Sequence, residues 1–333
     1  MPAPVLEVVD LSVSFRLFEG LARVLDKVSF SLEAGGRVAI VGESGCGKSL
    51  TARAIVGLLD PLHTEISGKI LLNGVDLTKL SQAELRKVRG RQISMIFQDP
   101  TAALNPVFRI GTQMVEIILA TGAASNRKQA LKRAAEQLRA VNIRDPMRVL
   151  RAYPFELSGG IAQRVLIVMG TIPRPQVVIA DEPGASLDVS VQNLALALLD
   201  QIGTETGSAI LMITHNLGVV RKFAKRVIVM YAGTVVEMGQ TDELLTNPLH
   251  PYTRALLAAV PRLHGDRLPT PIDGVVPSYV AAPLGCRFAT RCPIVIDRCH
   301  ATRPELDPAG APHRAACIRT VKPSEFSATV RRP

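Results

Sequence analysis

The chain has 333 residues, 47% of them hydrophobic, which is enough for two domains or one large domain with an appendage and excludes wholesale disorder. No apolar run reaches the roughly 18 residues of a membrane span, and the opening MPAPVLEVVD lacks the basic head and apolar middle of a secretory leader, so a cytosolic protein is expected. The net charge of +10 admits nucleic acid or an anionic membrane as a partner, but 4% aromatic residues and no Trp leave little to stack on single-stranded bases.

Residues 5–41 predict three strands, VLEVVDLSVSF, VLDKVSFSL and GRVAIVG. The last is a short apolar run ending in glycine, the pattern of a buried parallel strand. A helix is expected from Thr51 to Leu59, stopped at Asp60-Pro61. GKILLNGVDL predicts a hairpin turning at Asn73-Gly74, and ISMIFQ a further strand. About residues 126–141 form a charged amphipathic helix. A helix follows Ser158, then come the strand VVIAD, a helix from Val189, and the strands AILMITH and RVIVMYAG. Strands alternating with helices imply an α/β fold with a mostly parallel sheet. Beyond about residue 240 one short helix between prolines leads into an irregular basic tail, so two regions are expected, 1–240 and 241–333.

GESGCGKS, Gly42 to Ser49, fits G-x-x-x-x-G-K-[ST] between a strand and a helix, the context a phosphate-binding loop requires. A chance glycine-rich turn would lack that context. Glycines let the backbone curl so that its N–H groups face phosphate oxygens, and the following helix adds its positive end. The expected contacts are the loop from Gly42 through Glu43, Ser44, Gly45, Cys46 and Gly47 to Leu50, with Lys48 on the β- and γ-phosphates and the Ser49 hydroxyl on Mg²⁺. The Cys46 thiol itself is read as incidental. VVIADEP drives a buried strand into two carboxylates at the strand end where open α/β sheets bind ligands. Asp181 is expected to hold Mg²⁺ and Glu182 to orient water for in-line attack. Alone, this pattern would read equally well as a strand running into a charged loop; the phosphate loop upstream decides it.

LSGGIAQR, Leu157 to Arg164, places Ser158, Gly159 and Gly160 at a helix start, a second phosphate-facing surface. On these residues the sequence resembles the ATP-binding subunits of ABC transporters. That resemblance implies a P-loop NTPase fold with an antiparallel β subdomain and a helical subdomain at about 99–172. It also implies two ATPs sandwiched head to tail between two such subunits. Ser158, Gly159, Gly160 and Gln163 would then serve the nucleotide of the partner subunit. In the same register Gln98 would be the Q-loop residue near Mg²⁺, Asp188 of ASLD would lie at the dimer seam, and His215 would contact the γ-phosphate. Phe15 is the candidate to stack on adenine, with Phe18 as the spare. Asn216 and Gly184 depart from the common pattern without removing a phosphate contact, so a working ATPase is expected.

TNPLHPYTRALLAAVP, IDGVVPSYVAAPLGCRF and RCP are similar to the C-terminal extension of the oligopeptide, dipeptide and nickel importer ATPases. This implies a peptide importer with a second ATPase (a paralogue rather than a copy), two permeases and an extracytoplasmic binding protein, the ATPase being peripheral on the cytoplasmic face of the membrane. Cys286, Cys292, Cys299 and Cys317 cluster in a tail with little core expected to bury them. Four thiolates suit structural Zn²⁺ or an iron–sulfur cluster. The resemblance implies a [4Fe-4S] cluster; Arg287, Arg291 and Arg298 lie beside the cysteines in the sequence and are expected to offset its negative charge. The competing functions are a soluble ABC ATPase acting on nucleic acid, supported only by the charge, a nickel or other small-solute importer, and a regulatory module using the thiols as a sensor.

Overall fold

The computed structural model describes residues 3–184, 188–260, 270–306 and 311–319. Its strands are β1 (Pro4–Leu17), β2 (Gly20–Glu33), β3 (Arg37–Val41), β4 (Thr64–Leu72), β5 (Val75–Asp76), β6 (Ile93–Ile96), β7 (Val177–Asp181), β8 (Ala209–Ile213), β9 (Arg226–Tyr231), β10 (Thr234–Gln240) and β11 (Arg314–Ala315). Two compact units result.

The first unit comprises Met1–Leu6, Leu32–Gly36 and Leu72–Ile213. Its centre is the parallel set β6, β7 and β8, in register at Ile93↔Val177 and Val177↔Ala209. Every residue of β7 and β8 is buried, as their unbroken apolar sequences VVIAD and AILMI require. Helices Ile110–Ala120, Arg127–Ala140 and Pro146–Arg151 pack on one another, and Gly159–Thr171 packs on β6. The first and third of these three were not foreseen from sequence, nor was the helix Gln82–Val88. The last carries a legible signal, a capping box in which the Ser81 and Glu84 side chains satisfy each other's backbone N–H groups. The expected turn at Asn73-Gly74 is present, both residues lying in the left-handed region at φ 48° and 81°.

The second unit comprises Glu7–Ser31, Arg37–Leu71 and Thr214–Pro333. It holds the antiparallel strands β2, β1 and β4 and the order β11-β10-β9-β3. β3 runs parallel to β9, β10 turns back on β9, and β11 adds to the edge of β10 at Glu237↔Ala315. The tail is therefore not structureless: it donates a strand and has its own aromatic core. Phe288, 1% exposed, meets Tyr231 at the end of β9 at 5.1 Å between centroids and Tyr252 at 5.4 Å, with His250 at 5.9 Å. The expectation of a tail without a core fails because its sparse large residues pack against β9, which sequence periodicity does not display.

Candidate active site

β3 ends at Val41 and is followed by Gly42, where a Cβ would lie 2.2 Å from the Met230 carbonyl oxygen and 2.7 Å from Cys46 Sγ, so only glycine fits. The loop closes at Gly47, left-handed at φ 102°, and helix Lys48–Ile55 begins there, earlier than Thr51. The Thr51 hydroxyl donates to the Gly47 carbonyl at 2.9 Å and locks the junction. Lys48, 5% exposed, donates to the carbonyls of Gly42 at 2.8 Å and Glu43 at 2.9 Å, with Cys46 Sγ 3.8 Å away. Burial pushes the Cys46 thiol up, against the opposing pull of Lys48, so the thiol is neutral.

Four contacts hold this loop from outside, three of them from the C-terminal extension. The Tyr252 hydroxyl accepts the Glu43 N–H at 2.9 Å, and the Tyr279 hydroxyl donates to the Gly45 carbonyl at 2.7 Å. Arg291 forms a bidentate pair with the Glu43 carboxylate at 2.8 and 3.1 Å. The Gly233 N–H, in the turn after β9, donates to the Cys46 carbonyl at 2.9 Å. The Glu43 amide expected to face phosphate is thus engaged by Tyr252, because the extension docks on that side of the loop. None of these contacts was foreseen, and their partners are more than 180 residues away in sequence.

In the first unit, Asp181 closes β7 and is 4% exposed. Glu182 follows in the left-handed region at φ 45°, its N–H bonded to the Ile213 carbonyl at 2.8 Å. This φ is costly for a side chain with a Cβ and turns the carboxylate out of the strand. Glu182 Oε2 accepts from Gln98 Nε2 at 3.0 Å. The two residues are brought together because β6, which leads into Gln98, lies beside β7. Ser158 caps helix Gly159–Thr171 without a side-chain bond, and Ser158 and Gly159 are exposed. Gln163 differs from them: it is fully buried, with both amide atoms lacking a hydrogen-bond partner, so it does not share their exposed surface. Asp188 is exposed, and its carboxylate accepts the Val191 N–H at 3.0 Å, capping the helix that starts at Val189. The remainder of ASLD, residues 185–187, lies outside the described residues. In the second unit His215 is exposed after Thr214, and Asn216 caps the next helix through the N–H groups of Gly218 and Val219. Phe15 is half-buried on β1, whereas Phe18 is fully exposed.

The four cysteines of the tail line one cavity with His250 and Phe288 among its walls. All are free thiols. Burial raises Cys286 and Cys317 and pushes Cys292 up to about 11. Among the described residues no group of three or more His, Cys, Asp or Glu is gathered so as to hold a metal ion. The expected offsetting arginines are employed elsewhere. Arg287 pairs with Asp26 at 3.0 Å and with the Ala232 carbonyl, Arg291 is bound to Glu43, and Arg298 is exposed. Buried Asp26 and half-buried Glu43 bind these guanidiniums more strongly than the neutral thiols, which offer them no charge.

The strand–glycine loop–helix of the second unit, carrying Lys48, and, within the first unit, the acidic end of β7 followed by Glu182 with Gln98 bonded to it are the elements of a P-loop nucleoside triphosphatase. Residues 25–185 match the family described as ABC transporter, and residues 236–299 the one described as oligopeptide/dipeptide transporter, C-terminal region. The chain is 45% identical over 320 residues to a probable peptide ABC transporter ATP-binding protein of Sinorhizobium fredii, covering 95% of each chain. It is 46% identical over 300 residues to the dipeptide transport ATP-binding protein of Bacillus subtilis, covering 88% of this chain and 89% of that one. A dimeric ATP-binding cassette in a post-hydrolysis state, bound to ADP and phosphate, superposes with a TM-score of 0.64 at 26% identity, over 71% of this chain and 98% of that one. The chain belongs to the ABC transporter ATP-binding family, in the branch that carries the oligopeptide/dipeptide C-terminal region. Membership implies ATP and Mg²⁺, membrane permease partners and pairing of ATPase subunits. Among the described residues no helix is long and apolar enough to cross a membrane.

Proposed function

We propose that this chain binds and hydrolyses ATP to power the import of short peptides through a membrane permease pair. The observation that carries the catalytic part is the hydrogen bond between Gln98 and Glu182 beside buried Asp181. It puts the carboxylate on a strained, turned-out backbone where it can accept a proton from water, with a neutral amide holding its orientation. The peptide class is supported by the match of residues 236–299 and by the peptide and dipeptide transport named for the two relatives.

In this reading the backbone N–H groups of the loop from Gly42 to Leu50 receive the phosphates, those of Glu43 and Cys46 on release of their bonds to the Tyr252 hydroxyl and the Glu43 carbonyl. Lys48 turns from the Gly42 and Glu43 carbonyls toward the β- and γ-oxygens. Ser49, Gln98 and Asp181 are the residues that would hold Mg²⁺, which would neutralise phosphate charge when bound. Glu182 positions water and His215 meets the γ-phosphate. Ser158, Gly159 and Gly160 serve the nucleotide of a second ATPase, a paralogue, with Asp188 at the seam. Phe15 stacks on adenine. An extracytoplasmic binding protein delivers the peptide, and the ATPase sits on the cytoplasmic face. ATP drives the cycle only through different affinities for its two states.

The thiol-lined cavity takes a [4Fe-4S] cluster, with Zn²⁺ as the competing occupant. Support comes from the donor set alone, four cysteines lining one cavity; burial favours the protonated thiols and the thiols are not gathered around one point, so binding would require them to lose their protons and converge. Iron and sulfide assays on anaerobically purified protein test this; zinc, or no metal, would overturn it. For the main reading, Glu182→Gln should abolish turnover in the assembled transporter while ATP still binds. Surviving turnover would remove Glu182 from its role, and failure of the wild-type complex to take up peptides would remove the substrate class.

A further inference from the structure

Glu43 poses a physical problem: it is a carboxylate inside a loop whose task is to receive a polyanion. Its charge opposes phosphate binding unless something compensates it. Arg291 does so by geometry. Its two terminal nitrogens reach the two Glu43 oxygens at 2.8 and 3.1 Å. The remaining donors go to the carbonyls of Asp273 at 2.9 Å and Ile272 at 2.8 Å and to the Tyr231 hydroxyl at 3.3 Å. All five N–H groups of the guanidinium are therefore placed. The Arg291 side chain is 4% exposed and that of Glu43 27%. A guanidinium keeps its charge at any pH at which the protein is folded, so the pair with Glu43 is ionic. Tyr252 and Tyr279 fasten the neighbouring backbone at Glu43 and Gly45, so the loop is fixed on both sides of the pair.

We propose that Arg291 is a positioning and charge-compensating residue for the phosphate-binding loop, through which the C-terminal extension sets the affinity for nucleoside polyphosphate. The inference rests on the ATP-binding reading above. Arg291 touches no substrate; it acts through Glu43. A merely structural bond would matter equally for any ligand. A compensating charge matters in proportion to ligand charge and fades with salt.

The test is equilibrium binding of ATP, ADP and adenosine to the full-length chain and its variants, with thermal melting as the folding control. Arg291→Met, which keeps an unbranched aliphatic stem but removes the charge, should weaken ATP by about tenfold at low salt, equivalent to about 1.4 kcal/mol. ADP should weaken less and adenosine not at all, with the ATP loss shrinking at high salt. Arg291→Lys should recover part of the loss, lacking the bidentate fork. The deciding variant is Glu43→Gln with Arg291→Met, in which both charges are gone and ATP affinity should return to within about twofold of wild type. Glu43→Gln alone should bind ATP at least as tightly as wild type, and it decides the matter should Arg291→Met not fold. Wild-type affinity in Arg291→Met, no recovery in the double variant, or weaker ATP binding in Glu43→Gln would overturn the proposal. Wild-type protein that binds no ATP would overturn the ATPase reading itself, and this inference with it.

Discussion

Truncating Phe288 should unfasten the extension while the rest of the chain stays folded. The ring is 1% exposed and wedged among Tyr231, Tyr252 and His250. Phe288→Ala removes its transfer free energy and leaves a cavity, together about 3–5 kcal/mol. Two edge-on ring contacts place the loss toward the upper part of that range. Local opening exposes Cys299, the buried thiol of the tail, whose labelling by a thiol reagent then reports the opening equilibrium. A loss of about 4 kcal/mol corresponds to about three decades in that equilibrium. Labelling of the full-length chain in the presence of a chelator, mapped by mass spectrometry to separate it from the other cysteines, should therefore accelerate by about a thousandfold at Cys299. Phe288→Leu, which keeps most of the volume, should fall well below that. Acceleration under tenfold in Phe288→Ala would refute the claim that this ring closes the extension.

Asp26 is the second anchor, 261 residues from Arg287 and 277 from Arg303, both of which it binds. Asp26→Ala leaves Arg287 buried and uncompensated and should cost about 3 kcal/mol in denaturant unfolding, with most of it recovered when Arg287→Met is added. His313 supplies a pH dependence. Burial pulls its pKa down, but Glu237 at 2.7 Å and Glu243 at 3.6 Å outweigh this and raise it. A raised folded value means that its contribution is fully present below the unfolded pKa of about 6.5 and is lost as pH rises through the folded value. Docking of β11 should thus weaken from neutral to alkaline pH, as read by hydrogen exchange at Ala316, whose N–H donates to the Val236 carbonyl at 2.8 Å, and His313→Gln should flatten that dependence. Gly42→Ala should abolish ATP binding in a direct titration, because its Cβ meets a backbone carbonyl at 2.2 Å.

The chemistry of the site was readable in the sequence wherever it is local. GESGCGKS and VVIADEP are contiguous, and each residue's place follows from the strand or loop that carries it. Periodicity did the same for the buried strands β3, β7, β8 and β9, whose apolar runs leave no other face to expose. Tertiary structure alone decided which distant residues meet. Nothing in the spacing of Glu43 and Arg291 says that they touch, and by composition Arg291 looked like a neighbour of the cysteines alone. Likewise the burial of Gln163, the strain at Glu182 and the convergence of four thiols on one cavity depend on how strands order themselves and where the tail returns. A local pattern specifies its own backbone and the groups it presents. The partner of a charge or a ring is set by packing over the whole unit, where distance along the chain carries no information about distance in space.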